Sequence, residues 1–159
     1  MQKLYKRISG VLHYHEAWAE QENGVVVEHW GQTGEQGETK NHPLTAGEDE
    51  DEAITSVLSN ALSNGYEPFD EDDMHILLVE YTVDGMGNKQ DLEKRQALED
   101  LLNESLGWTG LGHCDGGSIG SGTMEACCYV VDFSTAKKVL EKDLGGGRFG
   151  DYTRIYEED

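Results

Sequence analysis

Histidines 13 and 15, in the run LHYHE, are two residues apart. On a β-strand such a pair shares one face, so both imidazoles can reach a single metal ion. Glu28 or His29, in a later β-forming run, would add a third ligand depending on strand register. No Cys-x-x-Cys or His-Glu-x-x-His pattern accompanies His13 and His15, and histidines on the solvent face of a sheet are the competing reading. His113-Cys114-Asp115 sets a nucleophile between a base and a carboxylate. Neighbours in an extended chain point to opposite faces, so His113 is badly placed to take the Cys114 proton, and a structural thiol is expected.

The glycine-rich run GGSIGSG (116–122) has the composition of a phosphate cradle, but it lacks the Lys-Ser/Thr ending and leads into a strand instead of opening a helix. It is expected to be a loose hairpin linking two central strands, with Gly117 and Ser118 on a rim that a peptide could contact. The acidic runs EDEDE (48–52) and DEDD (70–73) lack the ligand alternation, central glycine and distal glutamate of a calcium loop. They read as a helix start and a linker. No triad, no paired carboxylates at a catalytic spacing and no cofactor motif appear, so a non-enzymatic protein without a cofactor is expected.

Trp30 stands at the end of VVVEHWGQTGEQG, where strand composition passes into turn composition, with glycines at 31, 34 and 37. Trp30, Gly31 and Gln32 are the leading candidates for a contact surface. A buried plug is the alternative for the tryptophan.

The surroundings of these residues are strongly acidic. Of 159 residues, 12 are basic and 32 acidic, for a net charge of −20. Both halves share the bias: 4 basic against 12 acidic in residues 1–69, and 8 against 20 in 70–159. Nucleic-acid affinity rests largely on Lys and Arg neutralising phosphates, so this charge disfavours nucleic acid and favours a basic protein partner. The apolar fraction of 36% suffices for folded cores. Three cysteines, two of them adjacent at 127 and 128, form no disulfide framework and fit a reducing compartment. With no signal-peptide core and no long apolar run, a cytoplasmic protein of bacterial type with no membrane association is expected.

Two units are expected, 1–69 and 70–159, meeting at the acidic EPFDEDD (67–73). In the first, KLYKRISGVLHYHEAWAEQ reads as one long strand, GVVVEHW as a second after the Asn23-Gly24 turn, and a segment near TKNHPL as a third, short one. A helix over 49–64 follows. Its capping box pairs Thr45 with Glu48, and Ala53, Ile54, Val57, Leu58, Ala61 and Leu62 form one stripe. The second unit reads as a strand at 75–83, a helix at 91–107 with Leu98, Leu101, Leu102 and Leu106 inward, and a short strand in the glycine-rich run. A buried strand, TMEACCYVVD, a helix at 134–144 and a terminal strand complete it. That order is βαββαβ, the ferredoxin-like split βαβ with a four-stranded antiparallel sheet and two helices. The fold class is α+β.

HWGQTGEQGETKNHPL, followed by an acidic-started helix closing at Gly65-Tyr66, resembles the WGR domain over residues 1–69. The resemblance implies a small sheet with one helix packed across it. In poly(ADP-ribose) polymerases the family's domain contacts DNA, with its Trp and Arg at or near that contact. Here Gln32 stands where the family has arginine, and a neutral carboxamide lacks the permanent charge that grips phosphate. Glu28, Glu35 and Glu38 flank the motif, opposed by Lys40. The function expected is therefore that of an acidic interaction protein. By analogy it is akin to immunity proteins that neutralise basic nucleases. A nucleic-acid-associated WGR module is the first alternative, an enzyme the second.

Overall fold

The long β-forming run at the N-terminus is two strands, not one. Ser9 and Gly10 both take positive φ, +52° and +81°, and make a two-residue hairpin turn between β1 (Gln2–Ile8) and β2 (Val11–Glu20). A serine accepting that conformation carries less turn signal than the asparagine of Asn23-Gly24, so composition alone runs the strands together. The computed structural model describes residues 1–159 and divides into two units, Met1–Asp70 and Glu71–Asp159. It is mixed α+β, with two four-stranded antiparallel sheets and four helices.

In the first unit β3 (Val25–Gln32) and β4 (Glu38–Pro43) complete a sheet whose order, β1-β2-β3-β4, follows the chain. Alternation assigns the faces. Leu4, Ala17 and Val26 look one way and pack with Ala53, Ile54, Leu58 and Ala61 of the helical segment. That segment is broken at Leu58 into α1 (Glu50–Val57) and α2 (Ser59–Ser63). Leu62, beyond the break, is 39% exposed rather than inward. The expected cap also moves. Thr45 and Glu48 close a turn of their own, with Thr45 N donating to Glu48 Oε2 at 3.0 Å, while Asp49 caps α1 by accepting from Glu52 N at 3.0 Å. The nominal linker begins inside this unit, because Glu67 pairs with Tyr5 through bonds of 2.8 and 3.0 Å and Phe69 sits edge-on to the Tyr5 ring.

The second unit runs β5 (His75–Thr82), α3 (Lys89–Trp108), β6 (Gly112–Gly120), β7 (Thr123–Val130), α4 (Phe133–Leu144) and β8 (Arg154–Glu158). Its sheet order is β6-β7-β5-β8, every pair antiparallel. The glycine-rich run is thus a nine-residue edge strand, not a loose link between central strands; the turn itself is only Ser121-Gly122. Leu98, Leu102 and Leu106 of α3 and Ala136, Leu140 and Leu144 of α4 pack on Leu77, Val79, Met124, Ala126, Cys128 and Val130. α3 begins two residues earlier than its apolar stripe suggests. Asn88 accepts from Asp91 N and donates its own N–H to the Asp91 carboxylate, each at 2.9 Å, a complete capping box. No helix is long and apolar enough to cross a membrane.

Candidate functional site

Strand alternation sends Trp30 and Gly31 to opposite faces of the first sheet, and the two sides have different chemistry. On the helix-bearing face Trp30 lies directly opposite His15, and the rings stack at 5.7 Å and 21°. Tyr66 meets His15 edge-on at 5.6 Å. Two rungs along, on the same face, Glu28 joins two imidazoles: His15 Nε2 lies 2.6 Å from its Oε2, and His42 Nε2 lies 2.8 Å from its Oε1. Trp30, His15, Glu28 and His42 are all half-buried. Burial alone would raise the Glu28 carboxyl, but the hydrogen bonds and charges of His15 and His42 outweigh it and hold its pKa below the ordinary carboxylate value.

His15 thus finds Glu28, one of the partners its spacing suggested, with His42 as the third member. His13 does not join them; it faces Lys6 and Gln32 across the ladder. His29 lies on the other face. No group of three or more His, Cys, Asp or Glu side chains is arranged to hold a metal ion. Chemically, the His15–Glu28–His42 bridge fixes the two imidazoles on one carboxylate.

On the opposite face, glycine spacing builds a turn over the strand end. A Cβ on Gly31 would lie 2.9 Å from Gly37 Cα and 3.0 Å from the Tyr14 hydroxyl. One on Gly37, whose φ is +68°, would lie 2.1 Å from Trp30 O. Only glycine tolerates these approaches. Residues 33–37 then fold back so that the Tyr14 hydroxyl donates to Glu35 O at 2.7 Å and His29 Nε2 donates to Gln36 O at 2.5 Å. Thr33 ties the turn to Leu12 O through its N–H and its hydroxyl, each at 3.0 Å. Burial, then the charges of Glu16 and Glu35, push the Tyr14 hydroxyl above its ordinary range. Glu16 is 3% exposed, with Lys3 Nζ at 3.3 Å and His29 Nδ1 at 3.6 Å. Sequence reasoning missed Glu16 and His42; the available signal for Glu16 was its place opposite His29 once register is known.

In the second unit Cys114 points into the core, while His113 lies on the open face and stacks on Tyr129 at 5.7 Å and 29°. Gly117 pairs with Ala126 just after a bulge, and its missing Cβ would lie 2.1 Å from Glu125 O. Ser118 faces Glu125 and is exposed. A hollow of about 400 Å³ beside this edge is lined by Glu71, Asp72, Met74, His113, Asp115 and Tyr129.

No family model, no curated protein and no solved structure matches the chain.

Proposed function

We propose that the chain is a non-enzymatic, acidic interaction protein that binds a basic protein partner, built from a WGR-like first unit and a ferredoxin-like second unit. The charge balance carries the reading. Against 32 acidic residues stand 12 basic ones, and four of these, Lys3, Lys94, Arg95 and Arg154, are already engaged by carboxylates. The remaining field is strongly negative, which steers a basic surface toward the chain and repels phosphate. Exposed Gln32, with Glu35 and Glu38 beside it, gives the WGR-like strand end no cationic grip. The order β6-β7-β5-β8 and the two covering helices support the ferredoxin-like assignment. A cytoplasmic, immunity-like role fits this chemistry.

The test is a salt-titrated binding measurement on the whole chain, against duplex DNA and against proteins captured from an extract of its own host. The expected result is saturable binding of a basic protein, weakening as salt rises, with no retention of DNA. Salt-sensitive DNA binding, or a captured partner that is acidic and indifferent to salt, overturns the proposal.

A further inference from the structure

Cys114 and Cys128 are direct partners across the β6–β7 ladder, both on the helix-facing side, 8% and 0% exposed. The type of rung matters, because antiparallel pairs alternate between wide hydrogen-bonded and narrow non-hydrogen-bonded ones. Val131 N donates to Leu111 O at 2.9 Å, just before the first rung of the ladder. Stepping by two makes His113–Tyr129 the next hydrogen-bonded pair and Cys114–Cys128 a non-hydrogen-bonded one. The Cys114 N–H agrees: it turns away from β7 and donates to Asn103 Oδ1 at 2.8 Å. In such narrow pairs the Cα atoms lie about 4.5 Å apart, inside the span of about 4.4–6.8 Å that a disulfide bridges. The Cys114 thiol donates to Gly116 O at 3.7 Å, and the neighbouring Cys114 thiol, then burial, push the Cys128 thiol far above its ordinary range. Cys127 is half-buried on the opposite face and takes no part.

We propose that Cys114 and Cys128 form a dithiol–disulfide couple, closed by a hydroperoxide into a cross-strand disulfide. Cys114, the less buried of the two, attacks the peroxide as thiolate. The O–O bond breaks, a sulfur–oxygen bond forms, and the departing hydroxide takes up the proton the thiol released and leaves as water, giving a sulfenic acid. The Cys128 sulfur then displaces the sulfenic hydroxyl, its proton leaving with that group as a second water. The S–S bond forms as the S–O bond breaks. Two thiols are oxidised and one hydrogen peroxide is reduced to two waters. The product pins β6 to β7 at the rung before the bulge between Cys114 and Gly117. That is where a strand holding Gly112, Gly116, Gly117 and Gly120 has fewest side chains to fix it.

The experiment treats the folded chain with hydrogen peroxide, blocks the remaining thiols under denaturing conditions, and reads intact mass and a non-reducing peptide map. No Lys or Arg lies between Cys114 and Cys128, so the map uses cleavage after Glu125 to separate them. The wild type and Cys127→Ser are expected to lose two hydrogens and to yield a linked pair of peptides bearing Cys114 and Cys128. Cys114→Ser is expected to lose none. The oxidised chain is expected to melt about 5 °C or more above the reduced one, since the closed loop restricts the unfolded state. Persistence of all three thiols, a link through Cys127 or to a second chain, or oxygen gain without a link overturns the proposal. Should Cys114→Ser fail to fold, the maps of the wild type and Cys127→Ser decide alone.

Discussion

The two sheets have the same number of strands and the same antiparallel sense, yet they solve burial differently. The first is a meander in chain order with a small core, where Ala17, Ala53 and Ala61 take several inward positions. It also buries ionisable and polar side chains, Glu16, His29 and Thr33. The second reorders its strands to β6-β7-β5-β8 and packs a larger core of leucines, with Thr109 as its buried polar residue. Reordering requires crossovers, here α3 and α4, and both helices bring apolar stripes that cover the sheet. A meander has no crossover helices, and its fixed points are polar: Tyr14 and His29 hold a glycine turn by its carbonyls. The apolar scaffold is concentrated in the second unit, while buried polar chemistry is concentrated in the first.

The contrast breaks most directly at matched leucines. Leu102 and Leu58 are both fully buried, the first in a large cluster rich in leucines and the second in a small one that holds three alanines beside Leu4, Val26 and Ile54. Leu102→Ala is expected to cost about 4 kcal/mol and Leu58→Ala about 2–3 kcal/mol, because the cost rises with the cavity that remains. Denaturant midpoints of the two variants measure the difference. Equal losses would mean that the small core of the first unit is as rigid as the leucine-rich one of the second.

The polar side of the comparison turns on Gly37. Alanine there needs φ near +68° and places its methyl 2.1 Å from Trp30 O. A loss of about 1–3 kcal/mol is expected, accompanied by a change in tryptophan emission as the 33–37 turn pulls away. Wild-type stability with unchanged emission would show that Tyr14 and His29, rather than the glycines, dictate the turn.

Much of the second unit was legible because its signals are long. The stripe through Leu98, Leu102 and Leu106 and the apolar run of β5 each repeat enough times to outweigh local exceptions. The edge strand was hidden because its glycines mark close approach of neighbouring backbone: Gly112 and Gly117 would clash with Tyr129 O and Glu125 O if they carried a Cβ. Composition cannot separate that from a flexible loop. Both Ser-Gly turns were missed or blurred for a related reason, since Ser9 and Ser121 adopt positive φ that serine seldom signals. At the candidate site, alternation gave the shared face of His13 and His15 but not their partners. Which of them meets Glu28 depends on the register of β2 against β3, and His42 enters only through the register of β4.

That register-dependent bridge makes the last and smallest prediction, one of pH. The Glu28 carboxyl has a folded-state pKa below its ordinary value of 4.5, because His15 and His42 favour the ionised form more than burial disfavours it. A depressed carboxylate pKa adds stability that is complete above the unfolded-state pKa and is lost as pH falls through the folded one. The contribution is therefore present at neutral pH and disappears on acidification below about pH 4.5. Glu28→Gln keeps the shape of the side chain but removes the titration. It is expected to lower stability by about 1 kcal/mol or less at neutral pH and to narrow its gap from the wild type as pH drops below about 4.5. Urea midpoints taken across that range measure the closing gap. A gap that stays constant down to the acid limit would mean that the imidazoles hold Glu28 by shape alone, and the first unit would then lose one of the polar anchors that set it apart from the second.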